Sequence, residues 1–572
     1  MSAPLRVAAP ALLAALLLAA PAAAQVRNWT GILDRQWGGS LNWSPVGLPA
    51  PDETINIGTA AFPNADVRLS SFGVTVRNLN LSNSSLLGLS TTLTVDAVFD
   101  IDAGSELLLN DGGSTPRVLL ARAGSVALVN DGVIRILRGE GLIESSAGGL
   151  IDLDGADGNG QVFIGPEASP VFGEDFATLN IRGPLLDPFN GFMRIGTIGF
   201  NDGFSVLDMQ NAWTVGPGGE VLLGDGILRG APVRFDGSTL TAEFDARIEA
   251  DATFVDASIE GGGLLNLTID GAASFRGSTQ VDTGTEVLGV GEIVDAAGMT
   301  ISQSLRFRST GSVRNASLGL LRTLEFAQGE IVDSTITGAG LDFFTPTIAY
   351  SGPLSIGGAS DIDVERITDQ GSFAPLTISG GDVAAPSWDV FDLRLEGGTA
   401  RVVQGGAISL LGGLDIGTEA TPVFRVEGGS QAVLGSTGAA DLRLGFLPGT
   451  SAEAVASGVG LRLGEDGEPG DVVLPSSILA GEGVIGRSGS GQLTAEAGGD
   501  IRFSGNVQAG VFAGSTGLIT ARGVADAGQG FLLRSSIVVS DPAAGSPLLL
   551  ELGNQGTGTL LVQDGGAVSV VG

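Results

Sequence analysis

Residues 129–155 read VNDGVIRILRGEGLIESSAGGLIDLDG, and residues 479–505 read LAGEGVIGRSGSGQLTAEAGGDIRFSG. In both, apolar and polar residues alternate for a few positions and then stop at glycine or at an Asn/Asp-Gly pair. Alternation of period two sends successive side chains to opposite faces of a strand, and the glycines close each strand with a turn. The same texture runs from Gln25 to the last residue. In 243–251, EFDARIEAD, odd positions are charged and even ones apolar, so one face is dry. Leu93–Ile101, Leu264–Ile269, Ala407–Leu411 and Val423–Val426 repeat the pattern. Asn110-Asp111-Gly112, Asn130-Asp131-Gly132, Asp225-Gly226 and Asp564-Gly565-Gly566 stand between strands and suit the positive φ of tight turns.

These units recur about every twenty residues, within the repeat range that marks solenoids. Phrases recur as well, Gly291-Glu292-Ile293-Val294-Asp295 being echoed by Gly329-Glu330-Ile331-Val332-Asp333. A meander of hairpins or a set of β-sandwiches shares the local pattern, but an open sheet of this length curls, splits and leaves edges to protect. Coiling the strands into stacked rungs pairs each backbone with the rungs on either side. The expectation is therefore an all-β, right-handed parallel β-helix. With rungs of ~22 residues about 4.8 Å apart it would be a rod on the order of 100 Å long.

Composition narrows the chemistry. The chain has 572 residues, of which 92 are glycine, with no Gly-X-Y period that would indicate collagen. An apolar share of 43% argues against disorder. Acidic residues outnumber basic ones 63 to 29, every base is arginine, and the net charge of -34 repels nucleic-acid phosphates and anionic lipid while attracting divalent cations. Histidine and cysteine are absent, which removes Ser-His-Asp and Cys-His triads, zinc sites and disulfides together.

Residues 1–24 carry Arg6, an apolar run from Ala11 to Ala20, Pro21 and an Ala-Ala-Ala exit, which predicts a Sec-type signal peptide cleaved before Gln25. Its apolar run of about ten residues is short for a membrane span. Cleavage leaves 28 arginines against 63 acids, a charge of -35. The domain reading is thus a leader at 1–24, a Trp-rich cap or first rung at 25–60, and a β-helical repeat region at 61–572 that is truncated there or continues beyond.

Two segments resemble a known group. Residues 29–58 contain Trp37-Gly38-Gly39, Asn42-Trp43-Ser44-Pro45, Gly47-Leu48-Pro49, Asp52 and Ile55-Asn56-Ile57-Gly58. Residues 552–568 contain Leu552-Gly553-Asn554, Gly556-Thr557-Gly558-Thr559-Leu560 and Gly565-Gly566-Ala567-Val568. Both resemble exported, autotransporter-passenger-like or adhesin-like β-helix proteins of bacteria, over about fifty residues in total. The resemblance implies a secreted or cell-surface protein without enzymatic activity, acting in adhesion, surface structure or biofilm matrix, with glycans or a host or neighbouring cell as partners. A complete autotransporter ends in a membrane barrel of alternating strands, and no such segment is present through Gly572. No catalytic, cofactor-binding or metal residue is assigned with the group.

The candidate sites each have two readings. Trp29, Trp37 and Trp43 could form a sugar-stacking platform or a hydrophobic lid over the first rung, the second being favoured. Asp152, Asp154 and Asp157 offer oxygen ligands that calcium would suit, yet Ala156 and Phe163 stand where an EF-hand requires Asp and Glu; an acidic surface turn is favoured. Asp361, Asp363 and Glu365 share one strand face, as an acid–base pair for glycoside cleavage would, but also as a solvated face would. Arg306, Arg308 and Arg314 are the arginines that a polysaccharide lyase, the alternative function, would use as base, although nothing in the sequence sets them beside carboxylates. Gly486-Arg487-Ser488-Gly489-Ser490-Gly491 is not a phosphate loop, since a Walker motif needs lysine. The sequons at Asn28 and Asn42 carry little weight if the source is bacterial, as the resemblance implies.

Overall fold

The computed structural model describes residues 25–110, 115–166, 177–186, 188–196, 204–243, 245–261, 267–338, 345–412, 414–417, 421–435, 440–463, 469–526, 532–540 and 548–571. The expected signal peptide lies outside them. The chain divides into two compact units, Met1–Val233 and Arg234–Gly572, where the sequence offered no linker and suggested one body. Each unit is all-β and β-solenoid-like, built from short parallel strands in register. Among the described residues no helix is long and apolar enough to cross a membrane.

In the first unit three strands make one turn of the coil. Asn78–Leu81, Leu86–Leu89 and Thr92–Val95 are followed by Phe99–Ile101, Glu106–Leu109 and Arg117–Leu120. Each strand of the second set lies parallel on its counterpart in the first, with Leu79 against Phe99, Leu86 against Glu106 and Thr92 against Arg117. Alternation then does what period two requires. Every second residue points inward, and register stacks like on like: Leu69, Leu89, Leu109, Ile136, Ile164, Ile195 and Leu223 form one buried column. Each such side chain removes apolar surface worth about 2 kcal/mol from water, so a thin core recovers its stability by repetition.

The second unit stacks aromatics instead. Phe235, Phe254 and Phe275 lie nearly face on, with ring centres 5.1 and 5.2 Å apart and planes 7° and 12° from parallel. Phe307 and Phe326 continue the series at 6.5 and 5.6 Å with tilted rings.

The phrase echo at 291–295 and 329–333 marks two rungs separated by a third. Gly291 pairs with Gly311, and Gly311 with Gly329. The left-handed corners along this face are held by Asp256, Gly277, Asp295, Asn315, Asp333 and Gly358, all with φ between 48° and 65°. Short polar side chains and glycine tolerate that backbone. The aspartates also serve the next corner, since Asp256 accepts the Ser278 N–H at 2.7 Å and Asp333 the Ala359 N–H at 2.8 Å.

Some turns differ from expectation. Asn110 and Asp564 take positive φ as their sequence suggests. Asn130 instead points inward, fully buried, and donates to Leu153 O at 2.7 Å. Two antiparallel hairpins, Val459–Leu463 with Pro469–Pro475 and Val524–Asp526 with Leu532–Arg534, interrupt the parallel pattern, which the uniform texture of the sequence conceals.

Candidate binding surfaces

The Trp-rich segment is a plug. Val26–Trp29 lies parallel on Thr54–Ile57 and is covered on its other edge by Trp43–Ser44, antiparallel. Trp29, Trp37 and Trp43 are 1–2% exposed. Trp43 sits edge-on between the other two, with centroids 4.9 and 4.8 Å away, and donates from Nε1 to Trp37 O at 3.0 Å. Rings so hidden offer no face to a sugar, so the platform reading fails. Asn42, in the second sequon, is also fully buried: its Oδ1 accepts the Leu33 N–H and its Nδ2 donates to Asp34, which rules it out as a glycan acceptor.

Sequence reasoning missed the charges under this plug. Arg27 Nη2 and Nε reach the two carboxylate oxygens of Glu53, each at 2.7 Å, and Arg27 Nη1 donates to Pro45 O at 2.6 Å. The fork geometry is the strong form of this pair. It holds the Glu53 carboxyl below its ordinary range and raises the Arg27 guanidinium, the shared hydrogen bond being the largest cause in both. The signal was available: the only charges inside an apolar, Trp-rich segment are either exposed or paired.

The acidic turn at 152–157 is internal scaffolding. Asp152 and Asp154 are buried and Asp157 exposed. Asp152 Oδ1 accepts the Gly155 N–H at 2.7 Å, while Asp154 Oδ2 accepts the Asn190 N–H at 2.7 Å. Burial, seconded by the Asp152 charge against the opposing Asn190 bond, pushes Asp154 up to about 6. The surface turn favoured from sequence therefore holds only for Asp157. Among the described residues no group of three or more acidic side chains is gathered as a metal site.

Arg306, Arg308 and Arg314 do stand beside carboxylates, contrary to what the sequence could place. Register sets Glu286, Arg306 and Glu325 in one outward column. Arg306 Nε lies 3.2 Å from Glu325 Oε2, Arg308 Nη1 lies 2.6 Å from Glu325 Oε1, and Arg308 also binds Glu286. Arg314 binds Glu330. The acid hydrogen bonds, that to Glu286 for Arg308 and that to Glu330 for Arg314, raise both guanidinium pKa values. A guanidinium tied in this way holds its proton more firmly than a free one, so it is less available to accept a proton from a substrate.

The same device repeats along both units: Arg135 with Glu106, Arg229 with Asp208, Arg247 with Asp270 and Arg522 with Glu496. Asp361 and Asp363 belong to this surface. They are exposed on one outward face of Asp361–Asp363, with Glu365 half-buried beyond. The register neighbour of Asp361 is Asp382, which Arg401 binds at 2.9 Å. At the other end of the charge scale Asn28, Asn56 and Asn80 form an amide ladder, each Nδ2 donating to the previous Oδ1 at 2.9 and 2.8 Å.

Gly486 forms a left-handed corner and Arg487 projects from it, its guanidinium 4.5 Å from the Phe446 ring centre and 5.9 Å from that of Phe512. Open polar depressions include one of about 410 Å³ between Arg182, Asp208 and Gln210 and another of about 370 Å³ between Gln36, Arg68 and Phe72.

Comparison with known proteins yields no match to any family model, curated protein or solved structure.

Proposed function

We propose that this chain is a non-enzymatic, exported surface protein, autotransporter-passenger-like, in which a right-handed parallel coil presents its outer strands and corners for adhesion, surface structure or biofilm matrix. Right-handedness follows the general preference of crossovers between parallel strands, and export rests on the leader at 1–24. The observation that carries the reading is the pairing of Arg306, Arg308 and Arg314 with Glu325, Glu286 and Glu330. An outer face whose arginines are spent on carboxylates of adjacent rungs stiffens the coil and leaves hydroxyl-rich ligands, rather than bond cleavage, as its natural use. Weak contacts of this kind gain strength through repetition.

Two assays test it. Antibodies raised against this protein should stain intact cells, and staining that appears only after lysis would refute the surface assignment. Incubation with polygalacturonate, alginate and neutral glucans, with and without millimolar calcium, should release neither unsaturated products nor reducing ends. Release that is lost in Arg308→Ala would establish the lyase alternative.

A further inference from the structure

The described residues contain one large aromatic side chain with left-handed backbone. Phe373 has φ +57° and is 63% exposed. A bulky residue in that region is strained, and such strain persists where surrounding structure enforces it. Here the enforcer is Asp369: its Oδ1 accepts the Ser372 N–H at 3.1 Å and the Ser372 hydroxyl at 2.8 Å, and its Oδ2 accepts the Phe373 N–H at 3.0 Å. Burial does not explain the arrangement, because the ring is held out into solvent.

The ring is not alone. Phe391 lies edge to face with it at 4.9 Å and 74°. Register places Thr368 against Asp389 and Val390 against Leu410, and the Gly412 N–H donates to Phe391 O at 2.8 Å. Phe373, Phe391 and Leu411, the last 54% exposed, therefore come from three successive rungs, a span of about 10 Å at the usual strand spacing. Flanking them are Asp389 with Arg366 at 3.5 Å and Asp392 with Arg394 at 3.2 Å; Asp389, Arg366 and Arg394 have side chains 66%, 45% and 53% exposed.

We propose that Phe373, Phe391 and Leu411 form a subsite for the apolar face of a neutral hexose polymer, with Asp389, Arg366 and Arg394 bonding its hydroxyls. This rests on the non-enzymatic, surface-binding reading above. An aromatic face rimmed by carboxylates and guanidinium groups matches a pyranose, which presents C–H groups on its faces and hydroxyls at its edge. The charge favours a neutral ligand: each arginine already faces an aspartate, and a chain of net charge -34 repels uronates and phosphates. A second copy of this acidic chain would meet the same repulsion.

Native affinity electrophoresis through hydroxyethylcellulose, dextran, mannan and polygalacturonate tests the proposal. At least one neutral polymer should retard the wild type. Phe373→Ala and Phe391→Ala should each weaken retardation at least fivefold, and Phe373→Tyr should retain it. Phe373→Asn, whose side chain tolerates the left-handed backbone, should lose binding while melting like the wild type, which separates the subsite from folding. The proposal is overturned if no neutral polymer retards the wild type, if polygalacturonate does so equally, or if the exposed rings instead mediate a dimer that Phe373→Ala abolishes in sedimentation. Retardation of a neutral polymer that Phe373→Ala and Phe391→Ala leave unchanged removes this subsite, yet leaves the surface-binding reading intact; polymer cleavage would remove that reading itself.

Discussion

Two aromatic clusters in this chain have opposite fates. Trp29, Trp37 and Trp43 crowd into fifteen residues and vanish into the first strands, each at most 2% exposed. Phe373 and Phe391 are inconspicuous in the sequence, yet one ring stands in solvent on strained backbone. Density of aromatic residues therefore reports where a coil end needs covering, whereas a backbone outlier reports where a side chain is held out against its own preference. The two kinds of cluster should respond to mutation in opposite ways.

The largest effect belongs to the plug. Trp43→Ala removes the central ring and should cost about 4 kcal/mol, read as a lowered denaturant midpoint and red-shifted tryptophan emission, with polymer retardation unchanged for whatever fraction stays folded. A loss below about 1 kcal/mol would show that the rings are merely tucked away. Next comes the ion pair beneath. Glu53→Gln leaves Arg27 buried with half its partner, and breaking a pair this enclosed costs about 3 kcal/mol. Because the Glu53 carboxyl lies below its ordinary range, its contribution is present at neutral pH and fades as acid protonates it. The wild-type advantage over Glu53→Gln should accordingly shrink below pH 4, and a constant advantage would contradict the pairing.

Asp154 should give a smaller effect of opposite sign. Its folded value of about 6 exceeds the ordinary 3.8, so the native state binds the proton more tightly than the unfolded chain. Stability from this group is full below pH 4 and lost as pH rises through about 6. Between pH 7 and pH 5 the wild type should gain about 1 kcal/mol relative to Asp154→Asn, by urea unfolding at the two pH values. Equal pH dependence in both proteins would mean that the carboxyl is better hydrated than its burial indicates. The smallest effect is at Phe373, where Phe373→Asn should change stability by under about 1 kcal/mol, with relief of strain offsetting the lost ring contact. A large loss there would assign the ring to structure after all.

The sequence disclosed strand period and turn chemistry, because these depend on neighbours two to five residues apart, and the recurrence of the units about every twenty residues disclosed the solenoid-like stacking. Ala246 and Ile248 are inward and Arg247 and Glu249 outward, as alternation requires. The echo at 291 and 329 was legible as repetition, but its intervening rung at 311 was not, since Ser312, Val313 and Arg314 break the phrase while keeping the register. Pairings across rungs were out of reach for the same reason. Arg308 finds Glu286 and Glu325 about twenty residues away on either side, and rung length varies, so no fixed spacing reveals them. The Phe373 loop was equally hidden, because strain is a property of φ and not of composition.

Everything here depends on parallel register, and the absence of native cysteine makes it directly measurable. Thr253 and Ser274 are register partners on adjacent strands of the second unit, both half-buried. A Thr253→Cys, Ser274→Cys protein should form an intramolecular disulfide rapidly under mild oxidation, as neighbouring strand positions allow, while Thr253→Cys with Arg276→Cys, displaced by two residues, should lag well behind. Efficient crosslinking of the displaced pair with little in the matched one would contradict the stacked parallel coil.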